Sequence, residues 1–490
     1  MPMEISHRQQ KIRDRKMQST PVDVLKHIAS RSPIIFHKAG KLVSRYPSSE
    51  RICSVIEGKK FNDDMEAGTQ YGLDYEHEKT FFQNYARLLE KIPLPNMWAF
   101  SGNENADYSD TVGWSKNIYL SSMVTFGCEN VIYSFSVKDN GKNIMSSMMV
   151  RDNSENVYMS KGIIKWYNIF YSRFISDCSD IRFSTNMMNC HNCIFCSWLT
   201  NKSYCIHNEQ LDKDSYLLER KRILEKTDKY REWFDMLESV GNNFGSTRCT
   251  GSFVVNSEDV EAGDCVYSLK WWRNLFFVGS TFDNQNMLDA VNCSFFTNCA
   301  GNMSLTKSEH IYNSVHTWDS SSIYYSNFLL GCKFCLWCIG LKNKQYCILN
   351  KQYSKEERHE AVDKIFSTME AQWCFGDFFP PWINPFNFND TIAYFIGDFD
   401  KEEILHDGFL RRDDAIKVDI PSGAAVISNR DLLPHDYDPK ILEKIIADEE
   451  GNYYRITALE LQFFERYHLP LPDKHWFERL RLNFTFAKKE

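Results

Sequence analysis

A short phrase recurs along this chain every 12 or 13 residues, and it constrains the fold more than any other feature. Each copy begins with Asn or Asp, continues with three mostly apolar residues and ends with Ser, as in Asn117-Ile-Tyr-Leu-Ser121. Helical repeats are far longer, at roughly 30 to 47 residues. The period therefore indicates a β architecture. Further copies begin at Asn130, Asn143, Asn156, Asn168, Asp180 and Asn192.

Units of three or four β-branched and aromatic residues, separated by Asn, Asp, Ser and Gly, are typical of short strands with tight turns. An Asn at a fixed position tolerates left-handed backbone and can hydrogen-bond to its equivalents in a stack. These properties favour a β-solenoid, in which coils pair with their neighbours and together bury an apolar stripe. A run of antiparallel hairpins is the alternative. Whether one coil holds one unit or two stays open.

A second, more divergent block carries the same pattern, and its end closely matches the end of the first. Each cysteine of the first ending has a counterpart 142 residues later. This correspondence indicates an internal duplication. The equivalent anchor positions of the second block are Asp264, Asn274, Asn286, Asn298, His310, Ser322 and Phe334.

The fold class predicted is mainly β with helical caps: a duplicated β-solenoid with small α+β terminal domains. Helical periodicity follows each block, and helices are also expected over Lys79–Lys91 and Thr457–Tyr467. Ser354 followed by Glu357 is a capping-box signature. The predicted boundaries are 1–105 and 376–490 for the terminal regions, 106–208 and 246–350 for the solenoid copies, 209–245 for a helical insert and 351–375 for a helix.

Composition limits the function classes. Hydrophobic residues make up 43% of the chain and charged residues 25%, as expected of a folded protein. The net charge of −8 argues against general nucleic-acid binding. No apolar stretch is long enough to span a bilayer, and the opening residues lack the apolar core of a secretory signal. We therefore expect no membrane insertion, a cytoplasmic or virion location, and cysteines present as thiols or metal ligands.

Several phrases together resemble a family of uncharacterised proteins of small-genome bacteria, phages and large DNA viruses. That family pairs zinc-ribbon ends with a Cys/Asn-rich β-repeat. The resemblance implies zinc-ribbon-like ends here, but 447–451 has no Cys-x-x-Cys and His475 stands alone, so the ribbons are expected to be degenerate. The matching phrases are His7-RQQKIRDR, Tyr71-GLDYEHEKTFFQNY, Asn105-ADYSDTVGWSKNIYLS, the two LxNKxYCI endings with Tyr353-SKEER, and Ile456-TALELQFFERYHLPLPDKH.

The two cysteine quartets are the candidate metal ligands. Their spacing, Cys-x2-Cys-x2-Cys-x8-Cys, could supply four thiolates to a tetrahedral zinc ion, with His191 and His207 as alternative ligands. The same spacing also arises when small residues occupy fixed places in a coil, because buried Cys behaves as a small hydrophobe. Packed thiols without a cofactor are favoured, with zinc as the alternative. The quartets are Cys190, Cys193, Cys196 and Cys205, and Cys332, Cys335, Cys338 and Cys347.

Phosphate-binding loops and hydrolase motifs are absent from the sequence. The first hypothesis is a non-enzymatic scaffold that docks protein partners in a virion or other large assembly. The second is a zinc-dependent nucleic-acid-associated module. The third is a carbohydrate-active β-helix enzyme using acids such as Asp283 with Asp289, or Asp319. The candidate aromatic contact residues are Trp271, Trp272, Trp318, Phe378 and Trp382.

Overall fold

The computed structural model describes 10–12, 14–16, 18, 20–47, 51–100, 102–238, 241, 243–261, 263–267, 270–273, 285–291, 296–306, 308–397, 399–412, 418 and 420–484. At 21, 261, 263–264, 267, 270–273, 285–291, 296–306, 396 and 483–484 the description covers the backbone only. The chain divides into two compact units, each built from two separate stretches. The solenoid-1 unit joins Phe100–Asn242 to Asp413–Glu490, and the solenoid-2 unit joins Met1–Ala99 to Asn243–Arg412.

The first repeat block forms a parallel β-solenoid. Consecutive strands alternate between two sheets, which within the described residues contain nine and seven strands. Apart from the closing strand Glu209–Gln210, the strands within a sheet pair in parallel at an offset of 12 or 13 residues, so one sequence repeat is one coil, and the hairpin alternative is wrong. One sheet contains Lys116–Tyr119, Glu129–Ile132, Lys142–Met145, Glu155–Tyr158, Tyr167–Phe170, Ser179–Arg182, His191–Ile194, Ser203–Ile206 and Glu209–Gln210. The other contains Asp110–Gly113, Ser122–Thr125, Phe135–Lys138, Met148–Arg151, Lys161–Ile164, Arg173–Ser176 and Thr185–Met188.

Left-handed residues recur about every third position and give each coil four short sides. In one coil they are Asn117, Leu120, Met123 and Phe126, with φ of 54°, 42°, 59° and 66°. The residue that points into the coil usually follows each of them directly, as Ile118 does. Where a coil has 13 residues, the extra one is a second left-handed residue at the fourth corner, such as Gly127. A coil therefore contributes four inward columns of side chains.

Two of these columns are mainly Val and Ile, one is Ser, and one is mixed. In the Ser column each hydroxyl accepts a hydrogen bond from the backbone N–H of its counterpart in the next coil, at 3.0 to 3.3 Å from Ser109 to Cys196. Outside the coil, the side-chain amide of each anchor Asn donates to the next anchor at 2.9 to 3.1 Å, from Asn105 to Asp180. The predicted hydrogen bonding of the anchor Asn residues along the stack is thus confirmed, whereas the hydrogen bonds of the Ser column were not predicted.

The second block repeats this geometry. Strands 12 residues apart pair in parallel, with Ile311 beside Ile323, and Ser326 links Ser314 to Cys338 through the same hydrogen bonds. The strands are Gly251–Val255, Glu258–Glu261, Gly263–Tyr267, Lys270–Arg273, Gln285–Val291, Phe296–Thr306, Ser308–Tyr312, Val315–Trp318, Ser321–Tyr324, Asn327–Leu330, Lys333–Leu336, Ile339–Lys342, Cys347–Ile348 and Lys351–Gln352.

Both copies are closed in the same way. The last coil turns back as a two-residue antiparallel strand, Glu209–Gln210 in one copy and Lys351–Gln352 in the other. At the turn, the side chain of Asn208 or Asn350 bonds both backbone polar groups of one residue on the preceding coil. An unpaired strand edge can pair with another chain, and this amide protects the end of the solenoid by bonding polar groups that would otherwise be unpaired. A helix follows each closure.

The helices and short strands outside the coils pack on their outer surfaces. In the solenoid-1 unit Phe183 contacts Tyr230 at 4.8 Å between ring centres, and in the solenoid-2 unit Trp337 contacts Phe81 at 4.0 Å. Such aromatic contacts explain why the outward residues of these strands are buried. The fold class, mainly β with a solenoid and small α+β terminal regions, is confirmed. Among the described residues, no helix combines the length and apolarity needed to cross a bilayer.

The bounds of these elements are as follows. The solenoid-1 unit has α-helices Lys213–Leu224, Tyr230–Asp235, Ala458–Tyr467 and Trp476–Phe484, 3₁₀-helices Thr227–Lys229, Asn429–Asp431 and Pro439–Glu443, and strands Val426–Ser428, Ile445–Ala447 and Tyr453–Tyr454. The solenoid-2 unit has α-helices Pro21–His27, Gly58–Asp64, Phe81–Leu89, Lys355–Ala371, Ile392–Ile396 and Lys401–His406, 3₁₀-helices Ala29–Arg31, Met65–Tyr71, Pro381–Ile383 and Phe388–Asp390, and strands His37–Ala39, Leu42–Ser44, Val55–Ile56 and Leu94–Pro95.

Candidate functional site

The cysteine quartets lie inside the final coils of the two solenoids. Cys190, Cys193 and Cys196 are the inward residues of three successive sides, and Cys205 lies beside Cys193 in the next coil. The three-residue interval between successive cysteines is therefore the length of one side of the coil. The second quartet occupies the same positions. All eight side chains are at most 1% exposed.

Within each quartet one thiol contacts the other three. The side chain of Cys193 interacts with those of Cys190, Cys196 and Cys205, and Cys335 has the equivalent contacts in the second copy. The sulfur atoms also hydrogen-bond to backbone carbonyl groups, as from Cys196 to Ile194 at 3.3 Å. The quartets are thus thiol clusters within the hydrophobic core.

The surroundings shift the pKa values of the clustered thiols in both directions. Burial raises the pKa of Cys178, which adjoins the first quartet, and that of Cys338 in the second. Hydrogen bonds within the cluster, together with burial, raise the pKa of Cys335. Hydrogen bonds from neighbouring thiols lower the pKa of Cys190, Cys196 and Cys332. Each cluster therefore contains thiols that hold their protons and thiols that release them more readily as thiolates. Within the described residues, no group of three or more His, Cys, Asp or Glu side chains has an arrangement that could hold a metal ion.

The two histidines near the first quartet have other contacts. His191 Nδ1 is hydrogen-bonded to Ser179 Oγ at 2.9 Å. The ring of His207 stacks on Phe195 with 4.9 Å between ring centres. Both contacts join successive coils on the outside of the solenoid, whereas the thiols point inward. The structure therefore gives each imidazole a packing role.

Among the aromatic contact residues, Trp382 is 42% exposed, whereas Trp318 is only 5% exposed and so cannot form a contact surface. Phe378 is half-buried; it stacks on His27 and lines an open pocket of about 470 Å³ together with Arg15 and Lys16. Burial lowers the pKa of His27 to about 4. The side chains of Trp271 and Trp272 lie outside the described part of the chain.

Within the described part of the chain, the carboxylates considered for catalysis form no pair of neighbouring acids. Asp319 lies at a left-handed corner of a coil, with φ of 48°. Asp283 and the side chain of Asp289 lie outside the described residues. Catalysis by these acids therefore stays untested.

Sequence reasoning missed three features of the solenoid-2 unit. Trp373, two residues beyond the end of the helix Lys355–Ala371, is 88% exposed, and no periodicity indicates this. Asp390 is buried and accepts hydrogen bonds from Asn387 and Arg412 while contacting His37 Nε2 at 2.8 Å. Its partners lie up to 353 residues away in sequence, which local patterns cannot reveal. The third feature is a small cavity lined by two buried arginines.

Known proteins offer no further constraint on the site. No protein-family model, no curated protein and no solved structure matches this chain. The zinc-ribbon resemblance accordingly stays a prediction.

Proposed function

We propose that this chain is a non-enzymatic scaffold that docks protein partners within a large assembly such as a virion. The observation that carries the proposal is the filled interior of the coils whose side chains the structure describes. In those coils Val, Ile, Ser and Cys occupy consecutive inward positions, so stacked side chains leave no room there for a substrate. An enzyme would need a cleft with convergent polar groups.

Rigidity supports the same role. Each coil is hydrogen-bonded to the next through the backbone, through the Ser column and through the Asn ladder. The side-chain amide of Asn208 or Asn350 closes the last coil of each solenoid. Repeat folds of this kind are stabilised by contacts between neighbours and present long surfaces to partners. In the solenoid-2 unit, the segment Trp373–Trp382 offers two exposed indole rings as the docking site. Trp is enriched among residues that dominate binding energy.

The test uses photo-crosslinking in the native source. A photoreactive phenylalanine replaces Trp373 or Trp382, and a matched control places it at Tyr167, which is 50% exposed in the solenoid-1 unit. We expect one discrete protein adduct from position 373 or 382 and none from 167. Recovery of the native chain as a free monomer of 57.6 kDa, with no adduct at either tryptophan position, would overturn the proposal.

A further inference from the structure

The first two cysteines of each quartet adjoin each other inside the coil. Cys190 and Cys193 point inward from successive sides of one coil, and their side chains are hydrogen-bonded to each other. Cys332 and Cys335 have the same arrangement in the second copy. Sulfur atoms in contact need little movement to form a disulfide, and the Cys-x-x-Cys spacing is also that of redox-active dithiols.

The two thiols of each pair differ in acidity, and the difference has the same direction in both copies. Hydrogen bonds from Cys178 and Cys193 lower the pKa of Cys190, and a hydrogen bond from Cys335 lowers the pKa of Cys332. The hydrogen bond with Cys190 raises the pKa of Cys193, and the one with Cys332 raises the pKa of Cys335. Because the thiolate is the form that attacks an oxidant, the first cysteine of each pair is the reactive one.

Both pairs lie near the end of their solenoid, which gives a small oxidant a route to them. Their side chains are fully buried, so an oxidant reaches them only when the coil opens. One coil, which contains Cys205 or Cys347, follows each pair before the closing strand. The last coil of a solenoid has a neighbouring coil on one side only, and such ends open more readily than the middle of the array.

We propose that Cys190–Cys193 and Cys332–Cys335 are oxidation sites at which hydrogen peroxide forms a disulfide within the coil. The thiolate of the first cysteine attacks one peroxide oxygen, the O–O bond breaks, and the leaving hydroxide takes up the thiol's proton as water. The second cysteine then attacks the sulfur of the resulting sulfenic acid, whose hydroxyl group leaves as water with the second thiol's proton. Two thiols and one peroxide thus give one disulfide and two water molecules.

These oxidation sites are independent of the proposed scaffold role, because they depend only on the packing inside the coils. Mass spectrometry of the full chain tests the pairing. The reduced, chelator-treated protein is exposed to increasing hydrogen peroxide, and the remaining thiols are alkylated in acidic denaturant, which prevents exchange. Proteolysis between the cysteines of each quartet then shows which two are linked. We expect Cys190–Cys193 and Cys332–Cys335, at peroxide doses above those that oxidise the exposed thiol of Cys53.

Paired variants in the second quartet test the order of the reaction. Ser320 bonds the Cys332 N–H there, whereas in the first quartet the thiol of Cys178 occupies the equivalent place. The second quartet is therefore free of this alternative attacking thiol. Cys332→Ser and Cys335→Ser each keep a hydroxyl group as hydrogen-bond partner of the remaining thiol.

The two variants should differ in the sulfenic acid that they accumulate. Cys335→Ser should retain a sulfenic acid at Cys332 that dimedone traps, because the thiol that would displace its hydroxyl group is gone. Cys332→Ser should give no adduct at Cys335, because burial and the remaining thiol contacts still raise the pKa of Cys335. The intact first quartet should form its disulfide in both variants, which provides the internal control.

A disulfide from Cys193 or Cys335 to any other cysteine would overturn the proposal, as would quartets that stay reduced after Cys53 is fully oxidised. Equal dimedone labelling of Cys335 in Cys332→Ser and of Cys332 in Cys335→Ser would contradict the assigned order. Mapping of the wild-type chain needs no variant, so it decides the pairing even if a substitution prevents folding.

Discussion

Acid should destabilise the solenoid-1 unit through a buried histidine. His475 is 6% exposed, and its Nδ1 accepts a hydrogen bond from the Phe477 N–H at 3.3 Å, so the ring is held neutral. Burial and the positive charge of Arg479 lower its pKa to about 4. In the unfolded chain a histidine titrates near 6.5. Between these values the unfolded state holds a proton that the folded state lacks.

The free energy of unfolding should therefore fall as the pH drops from 6.5 to 4. The gap between the two pKa values corresponds to about 3 kcal/mol, spread over that window. His475→Asn keeps an acceptor close to Nδ1 and removes the titration. We expect the variant to lose less stability on acidification than the wild type, by up to about 1.4 kcal/mol per pH unit.

The assay is urea unfolding followed by circular dichroism between about pH 4.5 and pH 7.5, with stability obtained by linear extrapolation. The control is His406→Asn, because the His406 side chain is 92% exposed and should not alter the pH profile. The mechanism would be refuted by parallel profiles for the wild type and His475→Asn, since other titrating groups would then cause the acid sensitivity.

Substitutions at three positions test the packing of the solenoid-1 unit, each measured as a loss in the free energy of unfolding by the same assay. Asn156→Ala should cost about 2 kcal/mol, because it removes a ladder amide and leaves the Asn143 donor unpaired; a cost near zero would exclude a ladder contribution. Ile169→Ala should cost roughly 2 to 5 kcal/mol and Ile169→Val about 1, because the residue is fully buried; equal costs would contradict tight packing. Arg479→Met should cost about 3 to 5 kcal/mol by orphaning Glu460, whereas the double variant Arg479→Met/Glu460→Leu should recover most of it; strict additivity would argue against the buried pair.

The coil could be predicted from sequence because each repeat meets the same constraints as the one before it. Asn at the anchor position tolerates a left-handed backbone, and the alternation of apolar and small residues marks the inward columns. The bulky residues in the same conformation were not predictable. Leu120 and Phe126 have φ of 42° and 66°, which costs roughly 1 to 2 kcal/mol each in isolation. The ladders of neighbouring coils impose this conformation, and no local propensity shows it.

Long-range packing around the coils could not be predicted either. Periodicity places Trp337 on an outward corner of its coil, but it does not indicate that Phe81 covers it at 4.0 Å. The cavity lined by Arg31, Arg45 and Asn327 could not be predicted either. Its lining combines residues that are almost 300 positions apart in the sequence, and local patterns do not indicate such contacts. Each of these side chains has an unremarkable sequence context. The candidate thiol clusters could be predicted from the sequence because their cysteines occupy repeat positions. The cavity could not, because Arg31 and Arg45 lie outside the repeats.

The column positions of the quartets provide a sharp test of the metal alternative. Cys196 continues the Ser column, and its N–H bonds Ser184 Oγ at 3.0 Å; Cys193 continues the Val/Ile column beside Ile181. If the thiols are only coil packing, Cys196→Ser and Cys193→Val restore the residues of earlier coils and should each change stability by less than about 1 kcal/mol. Removal of a zinc ligand would cost far more. We also expect chelator to leave the unfolding midpoint unchanged; about two zinc ions per chain, with a large loss of stability on chelation, would make the quartets metal sites.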